Sequence, residues 1–147
     1  MRALDVGSGS GYLTVCMALM VGEDGRVVGI DHIKELVDWS IENIISDGKP
    51  DLIDKKIIKM ITGDGRHGSS KDGPYDAIHV GAAADGIPSD LLEQLKPGGR
   101  MVIPVGPNGG EQYMEQLDKD KDGMVTKTRL FGVRYVPLTD KKLQYNS

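Results

Sequence analysis

The chain has 147 residues, enough for one domain with its own core and too few for two ordinary ones. Its 22 acids against 18 bases give a formal charge of −4, and the bases form no block, which argues against nucleic acid as a partner. The single cysteine, Cys16, leaves no disulfide framework and no thiolate metal cage, and no apolar run reaches the 18 residues of a membrane helix.

In chain order, Ala3-Leu4-Asp5-Val6 reads as a short buried strand that enters a glycine turn, Gly7-Ser8-Gly9-Ser10-Gly11. The apolar run from Tyr12 to Met20 predicts a helix that buries Cys16 as a small hydrophobe. Arg26–Asp31 is a second strand, and apolar residues at helical spacing predict an amphipathic helix over residues 33–47, stopped by Gly48-Lys49-Pro50. Lys56–Thr62 and Tyr75–Val80 are strands three and four. A helix around 89–95 ends at Lys96-Pro97-Gly98-Gly99, and Arg100–Pro104 is strand five. Alternating strands and helices imply a parallel sheet with right-handed crossovers. Glu111–Leu117 and Val125–Tyr135 then read as a β-hairpin about the charged turn at residues 118–123. Only Met1 and Arg2 precede a strand that this architecture places mid-sheet, where both faces need cover. The expectation is one domain over 1–147 that lacks an N-terminal helical segment. A first strand covered on both faces would count against it.

A strand, a glycine turn and a helix open a nucleotide-type binding unit. Dinucleotide sites use G-x-G-x-x-G, whereas here the third glycine comes one residue early, as Gly7-x-Gly9-x-Gly11, with Asp5 two residues before the first. That spacing resembles motif I of S-adenosylmethionine-dependent methyltransferases. Too few residues remain for a dehydrogenase's second nucleotide half and substrate domain. Asp31, twenty residues past Gly11 at the end of strand two, is placed to accept hydrogen bonds from both ribose hydroxyls; His32 beside it reads equally as a flank for the adenine or as a solvated loop histidine. Asp64 and Gly65, at the end of strand three, offer an acceptor for the adenine amine and room for the ring. The cofactor's amino-acid end then falls on the turn, its ammonium matched by loop carbonyls and indirectly by Asp5. The three acids Asp5, Asp31 and Asp64 are expected along one rim.

Other patterns carry less. Asp118, Asp120, Asp122 and Gly123 match positions 1, 3, 5 and 6 of a calcium loop, but position 12 is Arg129 and the flanks read as strands. His67 and His79 lack metal-ligand spacing, so no metal site is expected. Ser69-Ser70 has no nucleophile-elbow context, and Trp39 reads as a packing or partly exposed residue rather than one stacked on substrate. The segment after strand four holds no motif for gripping an exocyclic base amine.

Several stretches together resemble the protein-L-isoaspartate (D-aspartate) O-methyltransferase family. They are A-L-D-V-G-S-G-S-G (3–11), G-I-D-H-I-K-E-L-V (29–37), G-D-G-R (63–66), Y-D-A-I-H-V-G-A-A-A (75–84), L-K-P-G-G-R (95–100), P-V-G-P (104–107) and Y-V-P-L-T-D (135–140). The resemblance implies an α/β, Rossmann-like class I methyltransferase sheet, mostly parallel with a C-terminal antiparallel hairpin. It implies cofactor contacts from Asp5, Gly7, Ser8, Gly9, Asp31, His32, Asp64, Gly65, Thr139 and Gln144, and substrate contacts from Gly81, Ala82, Ala83 and Val136. The implied reaction moves a methyl group from S-adenosylmethionine to the α-carboxylate of an isoaspartyl residue in a damaged protein, with D-aspartyl residues as a second substrate, leaving S-adenosylhomocysteine and beginning repair. Family members carry an upstream helical region with a serine- and histidine-containing loop that no residue here matches, so no catalytic residue is assigned. A cytoplasmic monomer with weak cofactor binding and poor turnover is expected; the alternative is a catalytically silent cofactor-binding fragment.

Overall fold

In chain order the elements are β1 (Arg2–Val6), α1 (Tyr12–Val21), β2 (Arg26–Asp31), α2 (Lys34–Ser46), α3 (Pro50–Asp54), β3 (Ile58–Thr62), β4 (Tyr75–Val80), α4 (Ser89–Gln94), β5 (Leu95–Val105), β6 (Gln112–Lys119) and β7 (Val125–Val133). The computed structural model describes residues 1–9, 11–22, 24–107 and 110–133. The seven strands form one sheet in the order β3-β2-β1-β4-β5-β6-β7. The first five strands pair in parallel, and β6 and β7 close the sheet antiparallel. The mixed sheet with its terminal hairpin is therefore as the sequence predicts.

Alternation along each strand divides the core in two. Leu4, Val6, Val28, Ile30, Ile78, Val80, Met101 and Ile103 pack on one face beneath Leu91 of α4. Ala3, Val27 and Ile58 pack on the other against Ala18 of α1 and Ile44 of α2. Because both faces are covered, the central strands are continuous apolar runs rather than alternating ones. β1 is buried throughout from Ala3 to Val6. The first strand is thus covered on both faces, contrary to the expected lack of cover. Cys16 is only partly buried, not enclosed as expected, and Leu19 and Met20 of the same helix point outward at 58% and 85% exposure.

Three local features have physical reasons. Gly48-Lys49-Pro50 ends the second helix as predicted, with α2 stopping at Ser46, and Pro50 in turn starts α3, at a helix position where its missing N–H costs nothing. β5 begins at Leu95 rather than Arg100, because Lys96–Gly99 loops out between the Tyr75–Leu95 and Ala77–Arg100 pairs. Gly98 takes φ +88°, and a Cβ on Gly99 would lie 2.8 Å from the Asp76 carbonyl oxygen, so the chain can run this way only with glycine. In the hairpin, Asp120 Oδ1 accepts from the backbone N–H groups of Asp122 and Met124, both at 2.9 Å, and closes the turn. Arg134 and Tyr135, the expected end of the last strand, lie outside the described residues.

Candidate functional site

The chain runs outward from β1 to β2 and β3, then returns to lay β4 on β1's other side. The switch point thus falls between β1 and β4, where open α/β sheets leave a crevice at the carboxyl ends of the strands. Backbone hydrogen bonds stitch this rim together. The N–H groups of Gly7 and Ser8 donate to the Ile30 carbonyl at 2.7 and 3.0 Å, Gly63 N–H to Asp31 O at 3.0 Å, and Gly81 N–H to Val6 O at 2.8 Å. Gly7 and Gly9 have φ of +77° and +53°, which side-chain-bearing residues rarely adopt. A Cβ on Gly7 would face the Gly81 backbone at 3.8 Å, and one on Gly9 would meet nothing within 4 Å. The turn therefore leaves open space above itself.

Asp31 is 7% exposed and ends β2 at this rim. Its Oδ2 accepts from Gly9 N–H at 3.2 Å and its Oδ1 from Ile33 N–H at 3.1 Å. Each oxygen keeps a further lone pair for a ligand hydroxyl. Ser8 Oγ is buried without a hydrogen-bond partner, an orphan inside the turn. His32 is half-buried beside Asp31.

Asp5 stands differently. It is 1% exposed and lies beneath the turn rather than on the rim, so the expected row of three acids is in fact two on the rim and one sealed below. Its Oδ2 accepts from Thr14 Oγ1–H at 2.8 Å, and its Oδ1 lies 3.1 Å from His79 Nδ1. Asp64 is held by its neighbour: Arg66 donates from its backbone N–H and Nε to Oδ1 and from Nη2 to Oδ2, at 3.0, 3.0 and 2.6 Å. These bonds hold the Asp64 carboxyl below the usual carboxylate range. A ligand amine would have to share Asp64 with that guanidinium. Gly65 is buried at the start of the short 3-10 turn that follows.

Gly81, Ala82 and Ala83 follow β4 across the crevice from the glycine turn, with the side chains of Ala82 and Ala83 buried. Thr139, Gln144 and Val136 lie outside the described residues. Thr14, His79 and Arg66 are the residues that sequence reasoning missed. Thr14 carried a signal: it is polar within an otherwise apolar stretch, which predicts an inward-facing partner. Trp39 is 49% exposed, the partly exposed of the two placements the sequence allows.

A family model described as protein-L-isoaspartate(D-aspartate) O-methyltransferase matches residues 1–143. Protein-L-isoaspartate O-methyltransferase 2 of Arabidopsis thaliana is 57% identical over 141 residues, which are 96% of this chain and 45% of that protein. Protein-L-isoaspartate O-methyltransferase of Caenorhabditis elegans is 50% identical over 145 residues, 99% of this chain and 64% of that one. A Plasmodium falciparum chain described as a protein-L-isoaspartate O-methyltransferase, crystallised with S-adenosyl-L-homocysteine, superposes with a TM-score of 0.84 at 39% identity. That match covers 95% of this chain and 66% of the other. The sheet order and its match to that structure define the class I S-adenosylmethionine-dependent methyltransferase fold. Within that class, the chain belongs to the protein-L-isoaspartate (D-aspartate) O-methyltransferase family. It spans from about half to just under two thirds of the length of these curated relatives.

Proposed function

We propose that this chain binds S-adenosylmethionine in the crevice between β1 and β4 and serves methyl transfer to the free carboxylate of damaged aspartyl residues, the α-carboxylate of L-isoaspartyl and the side-chain carboxylate of D-aspartyl residues, the first step of protein repair. The observation that carries the reading is the switch-point rim, where an open glycine turn is tied to a buried carboxylate, Asp31, with acceptor capacity to spare. Gly7, Ser8 and Gly9 would hold the amino-acid end, Asp31 the ribose and His32 with Asp64-Gly65 the adenine. The orphaned Ser8 hydroxyl and the free space over Gly9 fit such a group. Thr139 and Gln144 are assigned to the same cofactor, and Gly81–Ala83 with Val136 to the peptide.

The bound cofactor supplies an electrophilic methyl group on a sulfonium. The acceptor carboxylate is already ionised near pH 7, so no residue of this chain has to remove a proton. What these residues do is hold oxygen, methyl carbon and sulfur in line. The partners on this reading are isoaspartyl-bearing proteins and peptides, met by a cytoplasmic monomer; the acidic balance of the chain supports a partner other than nucleic acid. The test pairs an isoaspartyl peptide with its ordinary aspartyl isomer and a methyl-labelled cofactor. Label transfer to the first alone is expected. Equal labelling of both peptides overturns the assigned substrate, and cofactor binding with no transfer reduces the function to binding.

A further inference from the structure

We propose that His79 is a positioning residue for the amino-acid end of the cofactor, acting through Asp5. This inference rests on the cofactor reading above. Asp5 and His79 are register partners on β1 and β4, the two strands that bound the switch-point crevice. The Asp5 carboxylate is almost completely enclosed, and a buried charge is tolerated only with its oxygens satisfied. Thr14 satisfies Oδ2. His79 meets Oδ1 through Nδ1, which donates to it in the tautomer protonated at that nitrogen. Among the described residues, no other group with a cationic form lies within ion-pair distance of Asp5.

The placement matters more than the bond. Asp5 sits two residues before Gly7, below the turn that would receive the cofactor's ammonium. Enclosed there, its negative charge acts through the loop and not by contact, so its value depends on where the carboxylate is held. Thr14 and His79 hold it from opposite sides, one on α1 and one on β4. The His79 ring also lies beside the far wall. Its Cε1 lies 3.5 Å from the position a Cβ on Gly81 would take, and the Gly81 backbone is what faces Gly7. Removing the ring frees Oδ1 and lets the carboxylate swing about its Thr14 bond, below the place where the amino-acid end would lie. The adenosine end, anchored on Asp31 at β2, is untouched by either change.

The experiment measures calorimetric affinity for two ligands that share the adenosine and differ in the amino-acid end, S-adenosylhomocysteine and 5′-methylthioadenosine. His79→Leu is expected to weaken the first by about tenfold or more, the scale of a hydrogen bond to a charged group, and to leave the second unchanged. His79→Asn, which retains a donor near the Nδ1 position, is expected to restore most of the loss. Thr14→Val removes the other donor at nearly constant shape and is expected to show the same split, so it decides the matter if His79→Leu fails to fold. Equal loss for both ligands, or no loss for either, overturns the positioning role while leaving the cofactor reading in place. An unmutated chain that binds neither ligand overturns both.

Discussion

Gly9 and Asp31 are joined by a 3.2 Å hydrogen bond from the glycine N–H to Oδ2, and the same carboxylate accepts from Ile33 N–H through Oδ1. One side chain thus ties the turn after β1 to the start of α2. Asp31→Ala removes both that tether and the proposed ribose acceptor, and is expected to cost about 1.5–3 kcal/mol of S-adenosylhomocysteine affinity. Asp31→Asn keeps the shape and one acceptor oxygen, so its loss should be smaller. Calorimetry checks the order, and unchanged affinity in Asp31→Ala would place the cofactor elsewhere.

Asp64 gives a pH prediction. The hydrogen bonds from Arg66 lower its folded-state pKa. A group whose folded value is depressed stabilises the fold above its unfolded value, near 3.9, and loses that contribution as pH falls through the folded value. Carbon-detected NMR titration of the unmutated chain should find Asp64 still ionised below pH 3.9. Arg66→Ala should return it toward the ordinary range and flatten acid stability in that window. The carboxyl is partly solvated, so the effect on stability at pH 7 should be small. An unmoved titration in Arg66→Ala would mean that the pairing does not persist in solution.

The legible parts of this molecule were those whose cause is local. Buried parallel strands announce themselves as apolar runs, and β4 falls at Tyr75–Val80 as the sequence predicts. The glycine turn is legible because only glycine takes its positive φ values. Five-residue α3 was not legible, being too short to show a period. The loop-out at Lys96–Gly99 was hidden because proline and glycines read as a stop, while the strand's registration with β4 resumes beyond them. At the site, Asp31 could be found from its distance to the turn. The Asp5–His79 contact could not, since it joins residues 74 positions apart and depends on the β1–β4 register.

Tyr75 is fully buried, and its hydroxyl donates to the Ser69 carbonyl at 2.7 Å. Burial raises its pKa to about 12. A folded value above the unfolded one, near 10, gives a contribution that is complete below pH 10 and is lost as pH rises toward 12. Tyrosinate absorbance from Tyr75 should therefore appear only with unfolding, lagging behind that of exposed tyrosines. Tyr75→Phe keeps the packed ring but strands the Ser69 carbonyl, at an expected cost of about 1–3 kcal/mol in denaturant titration. Smooth ionisation of all tyrosines near pH 10 in the folded protein would contradict this arrangement.

Glu115 on β6 is 2% exposed and faces Arg129, its register partner on β7. Arg129 Nη2 lies 3.5 Å from Oε1, and its guanidinium sits 4.1 Å from the centre of the Tyr113 ring. Lys127 Nζ is 3.8 Å from Oε2, an oxygen that has no hydrogen-bond partner. Arg129, at the twelfth position of the apparent calcium loop, is therefore engaged across the hairpin instead of facing an ion. Arg129→Ala strips a buried carboxylate of its nearest cation and removes a stacked contact, so a loss of about 1–3 kcal/mol is expected. For a domain of this size that is a fall of roughly 3–10 °C in melting temperature. Glu115→Gln in the same chain removes the uncompensated charge and should recover part of the loss, a coupling that a double-mutant cycle measures directly. Strictly additive effects of the two substitutions would show that Arg129 acts on Tyr113 alone.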